Sequence, residues 1–242
     1  MNSNQMRIVT LIFVISMGLL LCKFGFAEKK KSGTQPEVYN TESKIEPLES
    51  ATQTDIPTVK IGNQVWMTKN LNVSTFRNGD VIPQAKTQGE WEAYAKTGEP
   101  AWCYYDNNPA NGDKYGKLYN WYAVNDRRGL APKGFHVPTD NEWTVLTDYL
   151  GGADIAGYKM KTRSGWYNEG NGTNISGFSG LPGGFRYDDG TFSIDGCLGG
   201  WWSSSEGSTA LAWLRGLGFR YGKVGRSSLN EGNGLSVRCL RD

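Results

Sequence analysis

Apolar residues fall along this chain in two very different patterns. From Ile8 to Leu21 they dominate a run of 14 residues that carries no charge. Beyond Thr58 they come in short groups cut by Gly, Asn and Asp. Residues 59–67 (VKIGNQVWM) predict two short strands around a Gly62-Asn63 turn, since such a pair between apolar runs is a hairpin signal. Two helices are predicted from their caps. Thr87 and Glu90 form a T-x-x-E capping box ahead of Trp91, Tyr94 and Ala95, and Gly98 is the stop. Thr139 and Glu142 repeat the device ahead of Trp143, Leu146 and Leu150, with Gly151-Gly152 as the stop. Residues 118–124 (LYNWYAV) suit helix or strand, and helix is the preferred reading. From Tyr158 onward, short apolar runs at 185–187, Phe192, Trp201-Trp202, 210–217 and 234–240 predict strands. Helices first and strands after define an α+β fold with two or three helices and a small, mostly antiparallel sheet.

The uncharged run of 8–21 is too short to span a bilayer, which takes about 20 residues. It suits the apolar centre of a secretory signal, with Arg7 before it and Gly25-Phe26-Ala27 as a small-residue cleavage site. Residues 1–27 are therefore expected to be a signal segment. Cys22, directly after the run, is a lipidation candidate, although bulky Leu20 and Leu21 fit a lipobox poorly. Soluble secretion, lipid anchoring and an uncleaved anchor all remain open. Residues 28–57 are rich in Glu, Lys, Ser, Thr and Pro and read as a disordered polar linker, too poor in apolar surface to offset its ordering entropy. Residues 58–242 are expected to form one domain. Export to the medium, the cell surface, the outer membrane or the periplasm follows, with membrane contact only through the N-terminal segment.

Composition sharpens the domain reading. All nine tryptophans and 29 of the 32 glycines lie beyond Thr58. That implies many turns around a core of a few large rings. Lys plus Arg number 26 and Asp plus Glu 24, so no charge excess speaks for nucleic acid as a partner.

Candidate chemistry is sparse. If Cys22 leaves with the signal, Cys103, Cys197 and Cys239 remain, and three cysteines in an oxidising compartment suggest one disulfide and one spare thiol. Cys103 and Cys239 are the candidate pair, which would tie the front of the domain to its last strand; other pairings stay open. His136 is the only histidine, so any Ser-His-Asp or Cys-His scheme must use it; a structural hydrogen-bonding role is the preferred reading. One histidine with scattered cysteines offers no zinc spacing, and no metal or cofactor is expected. NEGNG occurs at 168–172 and again at 230–234 and reads as two turns, since one carboxylate per copy is too few for calcium. The ligand-binding candidates are aromatic: Trp102, Tyr104, Tyr105, Trp166, Tyr167, Trp201 and Trp202. In a strand, Trp201 and Trp202 must point to opposite faces, and an exposed ring stacks well on a sugar or anchors a protein contact.

Six blocks carry a family resemblance: IGNQVWMTKNLNV, PAWCYYDNNPANGDKYGKLYNWYAVND, RGLAPKGFHVPTDNEWTVLTDYLGG, GFSGLPGGFRYDDGTF, WWSSSE and LSVRCLRD. Together they resemble the Fibrobacter succinogenes major paralogous domain, in order, over nearly all of 58–242. The resemblance implies a secreted or surface bacterial protein and carries no known activity. More distantly, HVPTDNEW (136–143) is similar to the R-L-P-T-E-A-E-W segment of formylglycine-generating enzymes, and SVRC to their G-F-R ending. That implies a C-type-lectin-like fold with the chain ends in neighbouring strands. The copper-binding cysteine pair of those enzymes has no counterpart in Cys197 and Cys239, which stand 42 positions apart. The calcium triplet of C-type lectins is broken at Glu99-Pro100-Ala101, and Asn125-Asp126 lies upstream of where its second motif belongs.

The resulting expectation is a non-enzymatic exported module that binds or adheres to an extracellular glycan or surface protein. A formylglycine-generating-type oxidoreductase and a structural surface or matrix component are the alternatives.

Overall fold

The computed structural model describes residues 56–193 and 196–242. The signal segment, Cys22 and nearly all of the linker lie outside the described residues. The predicted hairpin forms: β1 (Thr58–Ile61) pairs antiparallel with β2 (Gln64–Met67) through a turn in which Gly62 takes φ 61°. Helix α1 (Gln88–Thr97) carries the first capping box. The Thr87 hydroxyl accepts from the Glu90 N–H, the Glu90 carboxylate accepts from the Thr87 N–H, and Gly98 closes the helix at φ 70°. These contacts satisfy donors that the first helical turn leaves without partners.

Residues 118–124 correct the expected helix. β3 (Trp102–Cys103) pairs with β4 (Leu118–Tyr119), and the helix α3 (Trp121–Val124) begins only after Asn120. Asn120 decides the split. Its Oδ1 caps α3 by accepting from the Ala123 N–H and also accepts from the Ala101 N–H, so one side chain ends the strand and starts the helix. Before it comes α2 (Ala110–Tyr115), and later α4 (Asp140–Tyr149) and α5 (Ala153–Met160). The second capping box, Thr139 with Glu142, starts α4. Five α-helices stand among the described residues where two or three were expected.

The two unexpected helices, α2 and α5, each contain a glycine, which lowers helix propensity. Tertiary contact explains both glycines. A Cβ on Gly112 would lie 2.3 Å from Tyr104 Cε1, and one on Gly157 would lie 2.7 Å from the Gly222 carbonyl oxygen. In both helices packing requires the very residue that weakens the sequence signal.

The strands after Tyr158 are fewer than expected. β6 (Leu198–Ser208), β7 (Leu211–Gly218) and β8 (Val224–Asn230) make an antiparallel sheet in that order. Residues 185–187 and Phe192 make only isolated bridges, and 234–240 makes single bridges before β9 (Leu240–Arg241). β9 inserts between β2 and β5 (Phe135–His136), giving the order β1-β2-β9-β5. The beginning and end of the domain are thus hydrogen-bonded neighbours. Among the described residues, three antiparallel sheets with five helices make a mixed α+β fold.

Two buried cores meet across β2 and β6. Trp66 and Trp201 enter a core with Trp143, Met160, Phe178 and Leu217; Met67 and Trp202 enter another with Trp102, Tyr119, Trp121, Phe135 and Val237. The alternation of a strand sends its successive side chains into the two cores. Asp140, at the start of α4, ties the third sheet down: its carboxylate accepts from Arg215 (2.5 Å) and Arg226 (2.8 Å), and Arg226 lies over the Trp213 ring.

Gly157→Ala should lower the unfolding free energy by about 2 kcal/mol, the usual cost of forcing an extra methyl into a packed contact. Gly89→Ala, where a new Cβ meets open space, should instead raise it by about 0.5 kcal/mol. Urea unfolding of the two variants side by side checks both signs.

Candidate functional site

The segment after β2 is held against the end of the chain. The Met67 N–H donates to Cys239 O (3.0 Å), the Leu71 N–H donates to Val237 O (2.8 Å), and Leu71 is buried. With Leu71 pinned inward, Asn70 meets the interior with its amide. Asn70 Oδ1 accepts from Trp201 Nε1 (2.8 Å), Arg238 Nη2 (2.6 Å) and Arg238 Nε (3.1 Å). Asn70 Nδ2 donates to Tyr115 O (2.8 Å) and Ser236 Oγ (3.2 Å). One amide therefore joins β2, α2, β6 and the C-terminal segment.

Arg238 is fully buried and pairs with no carboxylate among the described residues. Its Nη1 donates to Met67 O and Phe178 O, and its guanidinium lies 4.5 Å from the Phe178 ring centroid. Burial pulls its pKa down to about 9, so it keeps its charge at neutral pH. Lys117 repeats the arrangement. Its Nζ donates to Asn72 O (2.9 Å) and Ser74 Oγ (2.7 Å) and sits 4.1 Å from the Trp102 ring centroid. Burial brings that ammonium down to about 8.

In front of this node lies a polar cleft of about 330 Å³. Thr68, Lys69, Asn70 and Asn72 form one side; Gly112, Asp113, Lys114 and Gly116 of α2 and its end form the second; Thr162, Ser179 and Leu181 form the third. Gly116 takes φ 74°, and a Cβ there would lie 2.7 Å from Leu71 O, so a glycine lets α2 close against the first side. Ser179 is fixed by Asn174, which accepts from its N–H (2.8 Å) and donates to its hydroxyl (3.0 Å).

None of the seven aromatic candidates lines this cleft. Trp201 and Trp202 are fully buried, and Trp102, Tyr105 and Trp166 are buried too, so they present no open face for stacking. Tyr104 and Tyr167 are half-buried. Three of the seven act behind the cleft wall. Trp201 donates to Asn70, Trp166 Nε1 donates to Thr162 Oγ1 (3.1 Å), and the Tyr104 ring packs against Gly112. Their N–H groups and faces set the residues that do line it. Trp201 and Trp202 do point to opposite faces, and each face is a core.

The exposed rings are others: Tyr149, Tyr158 and Tyr221, with Ile155 and Ile175 also exposed. Tyr158 and the Tyr221-Gly222 turn are in contact beside α5. Helical spacing alone did not mark these positions, because their exposure depends on how α5 meets the β7–β8 turn.

The candidate disulfide is corrected. Cys103 and Cys239 are free thiols, buried in different clusters. Burial pushes both up to about 12, so each stays protonated and unreactive. The two NEGNG segments are turns. Asn168 and Glu169 take positive φ, and Asn230 Oδ1 accepts from the Gly232 N–H. Among the described residues, no group of three or more His, Cys, Asp or Glu side chains converges as a metal site.

His136 is placed as a clasp. Its Nδ1 lies 2.8 Å from Asp242 Oδ1 and its Nε2 lies 2.9 Å from Glu142 Oε1. Glu142 is also the capping residue of α4, so the imidazole links β5, the chain end and a helix start. Burial works against its charge, but the hydrogen bonds to Asp242 and Glu142 outweigh that and raise its pKa.

The molecule is thus an irregular α+β domain with a polar cleft beside a buried cation. A sequence model of the Fibrobacter succinogenes major domain matches residues 59–241, and the chain belongs to that family. No curated protein and no solved structure matches it.

Asn70→Ala strips the acceptor from Trp201 and from two Arg238 donors, and should cost about 3 kcal/mol or more, because a buried charge loses its partner; chemical denaturation reads this directly. For His136 the folded pKa lies above the ordinary value near 6.5. Its stabilisation is complete below about pH 6.5 and is lost as pH rises through the raised value. The melting temperature should therefore decline on the alkaline side, and His136→Gln should remove that part of the slope.

Proposed function

We propose that this domain is a non-catalytic binding module of an exported protein, and that the cleft beside Asn70 is its binding site. The observation that carries this reading is the make-up of the cleft. Amide, hydroxyl and lysine side chains converge there on one small concavity, and buried tryptophan donors hold two of them, Asn70 and Thr162, in place. Ligand sites are concave and use a few well-placed polar groups to fix orientation. A preformed wall also lowers the ordering cost of binding. Hydroxyls and amides both donate and accept, which suits a sugar or a polar peptide.

The three-part plan belongs to the same reading. The apolar run of 8–21 directs export, the polar stretch after it spaces the domain from a membrane or wall, and the domain displays the cleft. Within the α+β class, the fold we favour is C-type-lectin-like. The pairing of β2 with β9 supports it, since it brings the two ends of the domain into neighbouring strands.

A glycan array combined with a pull-down from cell-surface extracts, both with the full chain, tests the binding reading. Asn72→Trp places a large ring in the cleft from an exposed position. Binding by the parent chain and its loss in Asn72→Trp, at unchanged melting temperature, is the expected result. Binding that survives Asn72→Trp but is lost on Tyr158→Ser would move the site to the face beside α5.

A further inference from the structure

The cleft has an unbalanced charge. Two exposed lysines line it, Lys69 and Lys114, and neither forms an ion pair among the described residues. Lys114 lies against the Tyr115 ring, with Nζ 4.4 Å from its centroid, so its head is partly positioned. Asp113 is the one carboxylate in the lining. Directly behind the lining stand two more cations, each bonded to a lining residue: Arg238 to the Asn70 side chain and Lys117 to the Asn72 carbonyl. Two cations in the lining and two buried behind it thus stand against one lining carboxylate.

The two inner charges matter most for the field. Solvent and salt weaken the field of an exposed lysine over a Debye length of about 8 Å in physiological salt. A charge surrounded by protein is screened far less, and the field of a lined concavity is focused toward its mouth. Carbonyl groups and rings satisfy the donors of Arg238 and Lys117 without cancelling their charge. An anion in the cleft would meet the excess charge that the protein leaves unbalanced.

We propose that the cleft takes a carboxylate-bearing sugar unit, its carboxylate between Lys69 and Lys114 and its hydroxyls on Thr68, Asn72, Thr162 and Ser179. The proposal rests on the cleft being the binding site. Size and chemistry separate this ligand from a bare inorganic anion. About 330 Å³ sits at the low end of ligand-pocket volumes and exceeds what a single phosphate fills. The lining offers mixed donors and acceptors beyond the two ammonium groups. Lysines act as point charges and do not demand the bidentate geometry that arginine imposes.

The test is calorimetric titration of the full chain with three probes: a galacturonate trisaccharide, neutral maltotriose and inorganic phosphate. The expected result is binding of the acidic trisaccharide only. Lys69→Gln with Lys114→Gln should weaken it about tenfold, in keeping with two partly exposed charge contacts. Lys60→Gln, on β1, should leave it unchanged, and raising the salt should weaken the parent chain. Equal binding of maltotriose, blocked by Asn72→Trp, would overturn the acidic ligand and keep the cleft as the site. Equal binding of phosphate would overturn the sugar. Binding of no probe would overturn this inference, while the array and the Asn72→Trp variant decide separately on the cleft.

Discussion

Arg238 carries a charge wholly out of water, and no carboxylate among the described residues meets it. An unpaired buried charge costs several kcal/mol unless dipoles replace its hydration. Here the dipoles come from two separate parts of the chain: the Met67 carbonyl and the Asn70 amide at the end of the first hairpin, and the Phe178 carbonyl. Those groups can converge only when the first hairpin, the loop near 178 and the C-terminal segment are all in place. The guanidinium thus makes the closure of the domain an all-or-none requirement, and it does so beside the cleft.

The same solution recurs at three other places. Lys117, Lys161 and Arg186 are buried, are held by carbonyl or hydroxyl oxygens, and lie near aromatic rings. A chain whose regular elements are short has many backbone carbonyls with no partner in a helix or sheet. Buried cations with several donors each can satisfy clusters of them. The aromatic rings shield these contacts from water and add cation–π attraction. Tryptophans therefore serve this fold as rigid framework, as their donations to Asn70, Thr162 and Tyr119 O show. The groups left to face solvent at the cleft are small and polar, and the framework sets their directions.

Local signals are legible in the sequence where they close over a few residues. Both capping boxes, the Gly98 stop and the Gly62-Asn63 turn depend on contacts within about one turn of chain, and each formed. Signals that depend on distant partners are not legible there. Gly112 and Gly157 hid α2 and α5, because their reason lies in Tyr104 and in the Gly222 turn. Asn120 divides 118–124 by also binding Ala101, across the β3–β4 pair. Cysteine counting suggested a bond between Cys103 and Cys239, yet the fold places them in separate clusters. For the site, the sequence pointed to aromatic residues, and three of the seven do sit behind the cleft. Its lining of Thr, Asn, Lys and Ser carried no pattern by which to find it.

By itself the sequence determined the class of the fold, the hairpin, the capped helices and the family blocks at both ends of the domain. These follow from local backbone preferences and from periodicity, which act over a few residues. Tertiary structure alone decided that the two end blocks meet, that Trp201 and Trp202 enter different cores, and that a lone buried guanidinium stands behind a polar cleft. The closure of the domain pairs Trp66 with Leu240, and the guanidinium of Arg238 meets the carbonyl of Met67, 171 positions away. Burial and charge balance are properties of that assembled neighbourhood, and no stretch of sequence contains them.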